Sequence, residues 1–160
     1  MAPVILLALL DPLTRAVVKA FEMFQTPIAL ARLDTLTPLA EEHVMGMVEF
    51  SGKAAGVVHI RLAPAAAQHL AAAILGLNAE SLTDPAEIND VIGELVNIVA
   101  GNLKSNLCDS GIPCKLTAPQ VTRTDDFLKL TVPGGVSDRL GFANGDLQAF
   151  VDVSVNPWNE

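Results

Sequence analysis

The stretch from His43 to Leu62 constrains the fold of this chain most. Its apolar period is two: Val44 to Phe50, then Ser51-Gly52-Lys53, then Ala54 to Leu62. Two alternating runs around a Gly-containing turn predict a β-hairpin. In the second strand, Val58, Ile60 and Leu62 share one face, and Val57, His59 and Arg61 share the other. The last part of the chain alternates in the same way. Leu147, Ala149, Val151, Val153 and Val155 fall on one face, with Gln148, Asp152 and Ser154 opposite.

Between and before these runs the period is helical. Asp11 followed by Pro12 predicts a helix start, a capping carboxylate and then a proline at the first helical position. Leu13, Ala16, Val17, Ala20, Phe21 and Phe24 continue it to about residue 25, before Pro27. Pro64 opens a second helix, Ala65 to about Leu75, so poor in charge that packing on most sides is expected; Gly76 would end it. A third helix is expected from about Pro85 to Leu107. Strands are then expected over about Cys114–Val121, Phe127–Val132 and Leu147–Val155, with turns at Pro133-Gly134-Gly135 and Asn144-Gly145-Asp146. The order helix, strands, two helices, strands implies an α+β fold, a mostly antiparallel sheet covered by long helices. No linker or clear repeat interrupts it, so one domain is expected over residues 1–160, with a core of about 12–155.

Composition narrows the partners. The chain is 51% apolar and 18% charged, so burial can offset the entropy of ordering and a folded domain is expected. Its net charge is −8, which repels phosphate backbones and argues against nucleic acid. The apolar start, Met1 to Leu10, is shorter than the roughly 20 residues a membrane span needs, and it lacks the basic start of a signal peptide. No membrane insertion and a cytoplasmic location are expected. Cys108 and Cys114 are too few for a disulfide scaffold, and with no activating neighbour they read as ordinary thiols.

The third helix holds the most informative residues. At about 100° per residue, Ile88, Val91, Ile92, Leu95, Val96, Ile98, Val99 and Leu103 form a broad apolar face. Asp90, Glu94, Asn97, Gly101 and Lys104 form a narrow polar stripe opposite. Glu94 and Asn97 are three residues apart, hence neighbours on the helix surface. Such a stripe is ordinarily only solvated. Two residues depart from that pattern. Asn is a poor helix former, and Gly101 in mid-helix costs about 1 kcal/mol relative to Ala. A glycine there admits either the backbone of a partner or a helix of the same chain.

The run Gly93-Glu94-Leu-Val-Asn97-Ile-Val-Ala-Gly101-Asn-Leu-Lys104 resembles the signature helix of the CheC/CheX/FliY phosphatases of bacterial chemotaxis. Their pattern is Asp or Ser, three residues, Glu, two residues, Asn, then a Pro about twenty residues on. Asp90, Glu94 and Asn97 fit in register, and Pro119 follows after 21 intervening residues, slightly short. The Gly and Lys match the CheX type. CheC-type proteins carry the motif on two pseudo-symmetric helices. Here the first helix has Arg15 and Val18 where Glu and Asn would stand, so one site per chain is expected, as in CheX.

The resemblance implies a CheC-like fold and dephosphorylation of a phosphorylated CheY-type receiver domain. It implies that Glu94 forms a salt bridge to the regulator's active-site lysine and that Asn97 orients the attacking water. Asp90, Gly101 and Lys104 would contact the partner. It further implies a homodimer associating through its sheets, no cofactor bound by this chain, and Mg²⁺ on the regulator. An acyl phosphate is already reactive and the regulator supplies the cation, so positioning is what remains to be contributed. An amide suits the task, since it donates to and accepts from water without bringing charge to the phosphate.

Other phosphatase chemistry finds no support. The sixth residue after Cys108 is Cys114, and after Cys114 it is Gln120, so neither heads a Cys-x5-Arg loop. His43, His59 and His69 are scattered, and His59 reads as an exposed or packed histidine rather than a metal ligand. Two alternatives to catalysis stay open: a receiver-binding module without activity, and a homodimerisation domain with a merely solvated stripe. Because receiver active sites are acidic too, long-range attraction cannot bring the partners together, and docking must rest on local contacts.

Overall fold

The computed structural model describes residues 4–39, 42–52, 55–124 and 135–156. The elements are α1 (Val4–Met23), β1 (Ala29–Ala31), β2 (His43–Gly52), β3 (Gly56–Leu62), α2 (Pro64–Leu75), α3 (Pro85–Asp109), β4 (Cys114–Leu116), β5 (Gln120–Thr124), β6 (Val136–Asn144) and β7 (Leu147–Val155). The strands form a seven-stranded antiparallel sheet in the order β1-β6-β7-β3-β2-β4, with β5 also pairing β2. The helices lie on one face. Their apolar sides share a core with the inward residues of β2, β3 and β7, among them Val44, Val48, Val58, Ile60, Leu62, Val151 and Val153.

The expected hairpin is present, with Val48 opposite Val58 and Gly46 opposite Ile60. The expected alternation of β7 is present too: Ala149, Val151, Val153 and Val155 are fully buried. Asp84 caps α3, its Oδ1 accepting from the Ala86 N–H at 3.0 Å, and Pro85 takes the first helical position. Gly76 ends α2 in a left-handed conformation, φ +70°, with its N–H donating to the carbonyls of Ala72 and Ala73.

Several elements differ from the sequence expectation. The first helix begins at Val4, so Pro12 lies inside it. Leu9 and Leu13, four apart, are both buried, and packing that apolar stripe outweighs the hydrogen bond that proline forfeits. The Pro12 carbonyl also accepts from Asn106 Nδ2 of α3 at 3.1 Å. Helix α2 buries only Ala67, Leu70, Ala71 and Ala72, and Leu75 stays 48% exposed, so it covers the sheet with one side rather than most. The strand expected over Cys114–Val121 is two short strands, both paired to β2. The break falls at Thr117–Pro119, where Thr117 Oγ1 accepts from the Glu49 N–H and Pro119 has no N–H to give a ladder. Strand β1 was not anticipated, nor was β6, whose sequence carries Asp138, Arg139 and Gly141. The strand expected at Phe127–Val132 and the turn beginning at Pro133 fall outside the described residues.

The outward face of the sheet is covered as well. Val57, His59 and Arg61 do not face solvent; all three are buried. Arg61 Nε donates to Asp152 Oδ2 at 2.8 Å, and Arg61 Nη1 donates to His43 Nε2 at 2.8 Å. Arg139 grips the same carboxylate with two bonds, Nε to Oδ1 at 2.6 Å and Nη2 to Oδ2 at 2.9 Å, and lies over the Phe150 ring. The segment after β1 crosses part of this face. Leu33 and Leu36 close over Gly141, and Thr37 exchanges two backbone bonds with the Gln148 amide.

Candidate functional site

Helix α3 is anchored on three sides, which leaves one side to function. Ile88, Val91, Ile92, Leu95, Val96, Val99 and Leu103 are buried as expected, and Ile98 is half-buried. A Cβ at Gly46 of β2 would overlap Val96, so that glycine lets α3 settle closely on the sheet. Beside it, α1 is tied by Asn102 Nδ2 donating to the Ala16 carbonyl at 3.4 Å and by the Asn106 bond to Pro12. On its other side Val121 of β5 lies 3.7 Å from the position of a Cβ on Gly93. Pro119 thereby sits at the entry to the strand that flanks the motif helix.

The remaining side carries Asp90, Glu94, Asn97, Gly101 and Lys104, and all five are exposed. Along α3 Lys104 lies fourteen residues beyond Asp90, about 21 Å at 1.5 Å per residue. None of the five side chains makes a hydrogen bond or ion pair with a described residue. Glu94 and Asn97 therefore stand side by side with their polar groups uncommitted. A Cβ added at Gly101 would meet nothing within 4 Å. That removes one of its two readings, since no described helix packs there.

The matching position on α1 is different. Arg15 is occupied by Asp11, Nε to Oδ2 at 2.9 Å across one helical turn, and Val18 is half-buried. Helix α1 thus presents a self-contained surface pair where α3 presents free groups.

The sheet, β4 included, holds ionisable groups whose surroundings shift them. Burial, then the Arg61 charge, pushes the His59 imidazole down to about 4, with Asp152 opposing in part. Its Nε2 is buried without a hydrogen-bond partner among the described residues. Burial works against the Asp152 charge, but hydrogen bonds and charge from Arg139 and then Arg61 outweigh it and hold the carboxyl below its usual value. Burial raises the Cys114 thiol, so it is not a ready thiolate, while Cys108 is exposed. Among the described residues no three His, Cys, Asp or Glu side chains are placed to hold a metal ion. No described helix is long and apolar enough to cross a membrane. The sequence reading missed this buried Arg-Asp-Arg group, because alternation marks a second face without showing what covers it.

Comparison with known proteins adds a family. The sequence model of a family described as chemotaxis phosphatase CheX matches residues 44–138, more than half of the chain. No curated protein sequence matches. Among solved structures, the chemotaxis protein CheX of Vibrio vulnificus is similar at 18% identity, with a TM-score of 0.78 over 92% of this chain and 96% of that one. CheX of Desulfovibrio desulfuricans is similar at 16% identity and TM-score 0.77, over 92% and 99% of the two chains. The chain in a CheX–CheY–BeF3–Mg complex from Borrelia burgdorferi has 17% identity and TM-score 0.75, over 92% and 97%. These likenesses extend the agreement to the fold, beyond both ends of the family match.

Proposed function

This chain belongs to the CheX family of chemotaxis phosphatases, and we propose that it speeds hydrolysis of the aspartyl phosphate on a CheY-type response regulator through the exposed stripe of α3. The observation that carries this reading is the adjacent pair Glu94 and Asn97, exposed on a rigidly seated helix and without partners among the described residues. A helix fixed by a buried face, a capped start and two neighbouring elements holds such a pair with little freedom. Little entropy then remains to be lost when a substrate docks.

The chemistry divides between the partners. The regulator brings the phosphoryl group and the Mg²⁺ that neutralises part of its charge. Glu94 docks to the regulator's active-site lysine. Asn97 holds water in line with the phosphorus, accepting from it with Oδ1 and donating with Nδ2 as needed. A carboxylate at position 97 would repel the phosphoryl oxygens, whereas the amide brings no charge. Asp90 and Lys104 contact the partner at the two ends of the stripe, and open space over Gly101 admits the partner's backbone. The CheX relative from Borrelia burgdorferi forms a complex with CheY, which supports a regulator as partner here.

We further propose that the chain works as one domain, about residues 12–155, in the cytoplasm, and as a homodimer joined through its sheets. The dimer rests on the family resemblance; the structure adds the exposed Leu30, 56% accessible, on edge strand β1. Light scattering reads the dimer directly.

The test of function is phosphate loss from a purified phosphorylated regulator. Wild-type protein accelerates it; Glu94→Ala and Asn97→Ala each abolish most of the acceleration and keep the wild-type fold. Docking by local contacts predicts little change between low and high salt, given the chain's charge of −8. A regulator bound by wild-type protein without faster decay would instead identify a binding module.

A further inference from the structure

We propose a second binding site, for a small molecule with a carboxylate or phosphate head, in the cleft where the chain enters α2 and α3. The cleft measures about 490 Å³ and is lined by Pro64 and Ala65 of α2, Ile88 of α3, Gln68, Glu42 and Arg123. Arg123 belongs to β5 and is half-buried. Its Nε is shielded from solvent and has no hydrogen-bond partner among the described residues. No ion pair engages it there either. In a chain with 18 acidic residues against 10 basic ones, an arginine that shares its cleft with Glu42 yet is ion-paired to no described residue is unusual. Arg61 and Arg139 show the contrast, since both hold Asp152.

The two helix starts at this cleft also differ. Helix α3 is satisfied from within, by the Asp84 cap and by Glu87 in its first turn. Helix α2 follows Ala63, with no side-chain cap and no acid in its first turn. Its positive end is therefore not compensated from within the helix at the wall that Pro64 and Ala65 form. The planar guanidinium of Arg123 matches a carboxylate or phosphate with two parallel bonds. Gln68 stiffens the wall, its amide group donating to the Ala79 and Leu82 carbonyls at 2.7 and 3.0 Å. The volume exceeds that of a lone ion and falls in the range of small-molecule sites. Glu42 would repel a second negative group, so the ligand carries one oxyanion head on a neutral or amine-bearing body. The site is distinct from the Glu94 and Asn97 pair: Ile88 is buried and lies six residues, about 9 Å of helix, before Glu94.

The experiment is a titration of the full chain at constant ionic strength with inorganic phosphate, acetate and γ-aminobutyrate, followed by NMR of the arginine Nε–H signals. Saturable binding that shifts the Arg123 signal is expected for phosphate or for a carboxylate, and the separate titrations decide which head is preferred. Arg123→Gln is expected to weaken it at least about tenfold, the scale of one charged hydrogen bond. Glu42→Gln is expected to tighten it severalfold, and this variant leaves Arg123 in place should the first one fold poorly. Absence of saturable binding by all three probes, or unchanged binding in Arg123→Gln, overturns the site. Phosphate-decay activity is a separate readout, so failure here leaves the role of the α3 stripe standing.

Discussion

Two polar surfaces of this molecule look alike in sequence and have opposite fates. The stripe of α3 places Asp90, Glu94, Asn97 and Lys104 in solvent with no partner among the described residues. The outward face of the sheet buries Arg61 and His59 and ties Arg61, Arg139 and His43 into one group around Asp152. Groups that bond each other are spent on the fold. Groups held rigidly in solvent with nothing to bond are available to a partner. The comparison separates residues whose loss would damage stability from residues whose loss would damage only activity.

The largest effect expected is on the exposed side. Asn97→Ala should reduce acceleration of phosphate loss by about 100-fold or more, the scale seen when a positioned reaction loses its orienting group. Thermal stability should not fall. On the buried side the pattern inverts. Asp152→Ala removes the acceptor shared by Arg61 and Arg139 and should cost on the order of 3 kcal/mol, with activity per folded molecule retained. Denaturant melts and decay assays on both variants check whether the two properties separate.

Acid gives a third distinction. His59 is neutral in the fold because its imidazole is pushed down to about 4, while in the unfolded chain it titrates near 6.5. Below pH 6.5 the unfolded chain therefore binds the extra proton first. Stability is full above that pH and falls as pH drops from 6.5 toward 4, by up to about 3 kcal/mol. Asp152, held below its usual value, adds a further loss below about pH 4. His59→Leu should flatten the first slope in melts between pH 4 and 7. At neutral pH it should cost little, because Nε2 has no partner among the described residues to lose. The smallest effect is at Gly101. With open space around its Cβ, Gly101→Ala should raise stability by about 1 kcal/mol and weaken regulator binding, which calorimetry on both quantities can read.

Much of this was legible in the sequence where period and punctuation agree. The hairpin, β7, the Asp84-Pro85 start of α3 and its buried face all follow from alternation, helical spacing and caps. The residues of the stripe were legible for the same reason. Pro12 misled because proline marks a helix start only when nothing upstream packs, and Leu9 does pack. Strand β6 was hidden because its charge at Arg139 is neutralised by Asp152, a residue thirteen positions away. Arg61 and His59 fall on the face that alternation assigns them, but their burial was not legible, because alternation divides a strand into two faces and is silent on whether a second layer lies over one of them. Arg123 carried no local signal; its position depends on three elements meeting at one end of the sheet.

The most direct measurement is the single-turnover decay of a phosphorylated CheY-type regulator with wild-type protein and with Asn97→Ala at equal folded concentration. Fast decay with wild type and near-spontaneous decay with the variant are predicted, with the variant melting no lower than wild type. Equal acceleration by the two would contradict the assignment of water positioning to Asn97.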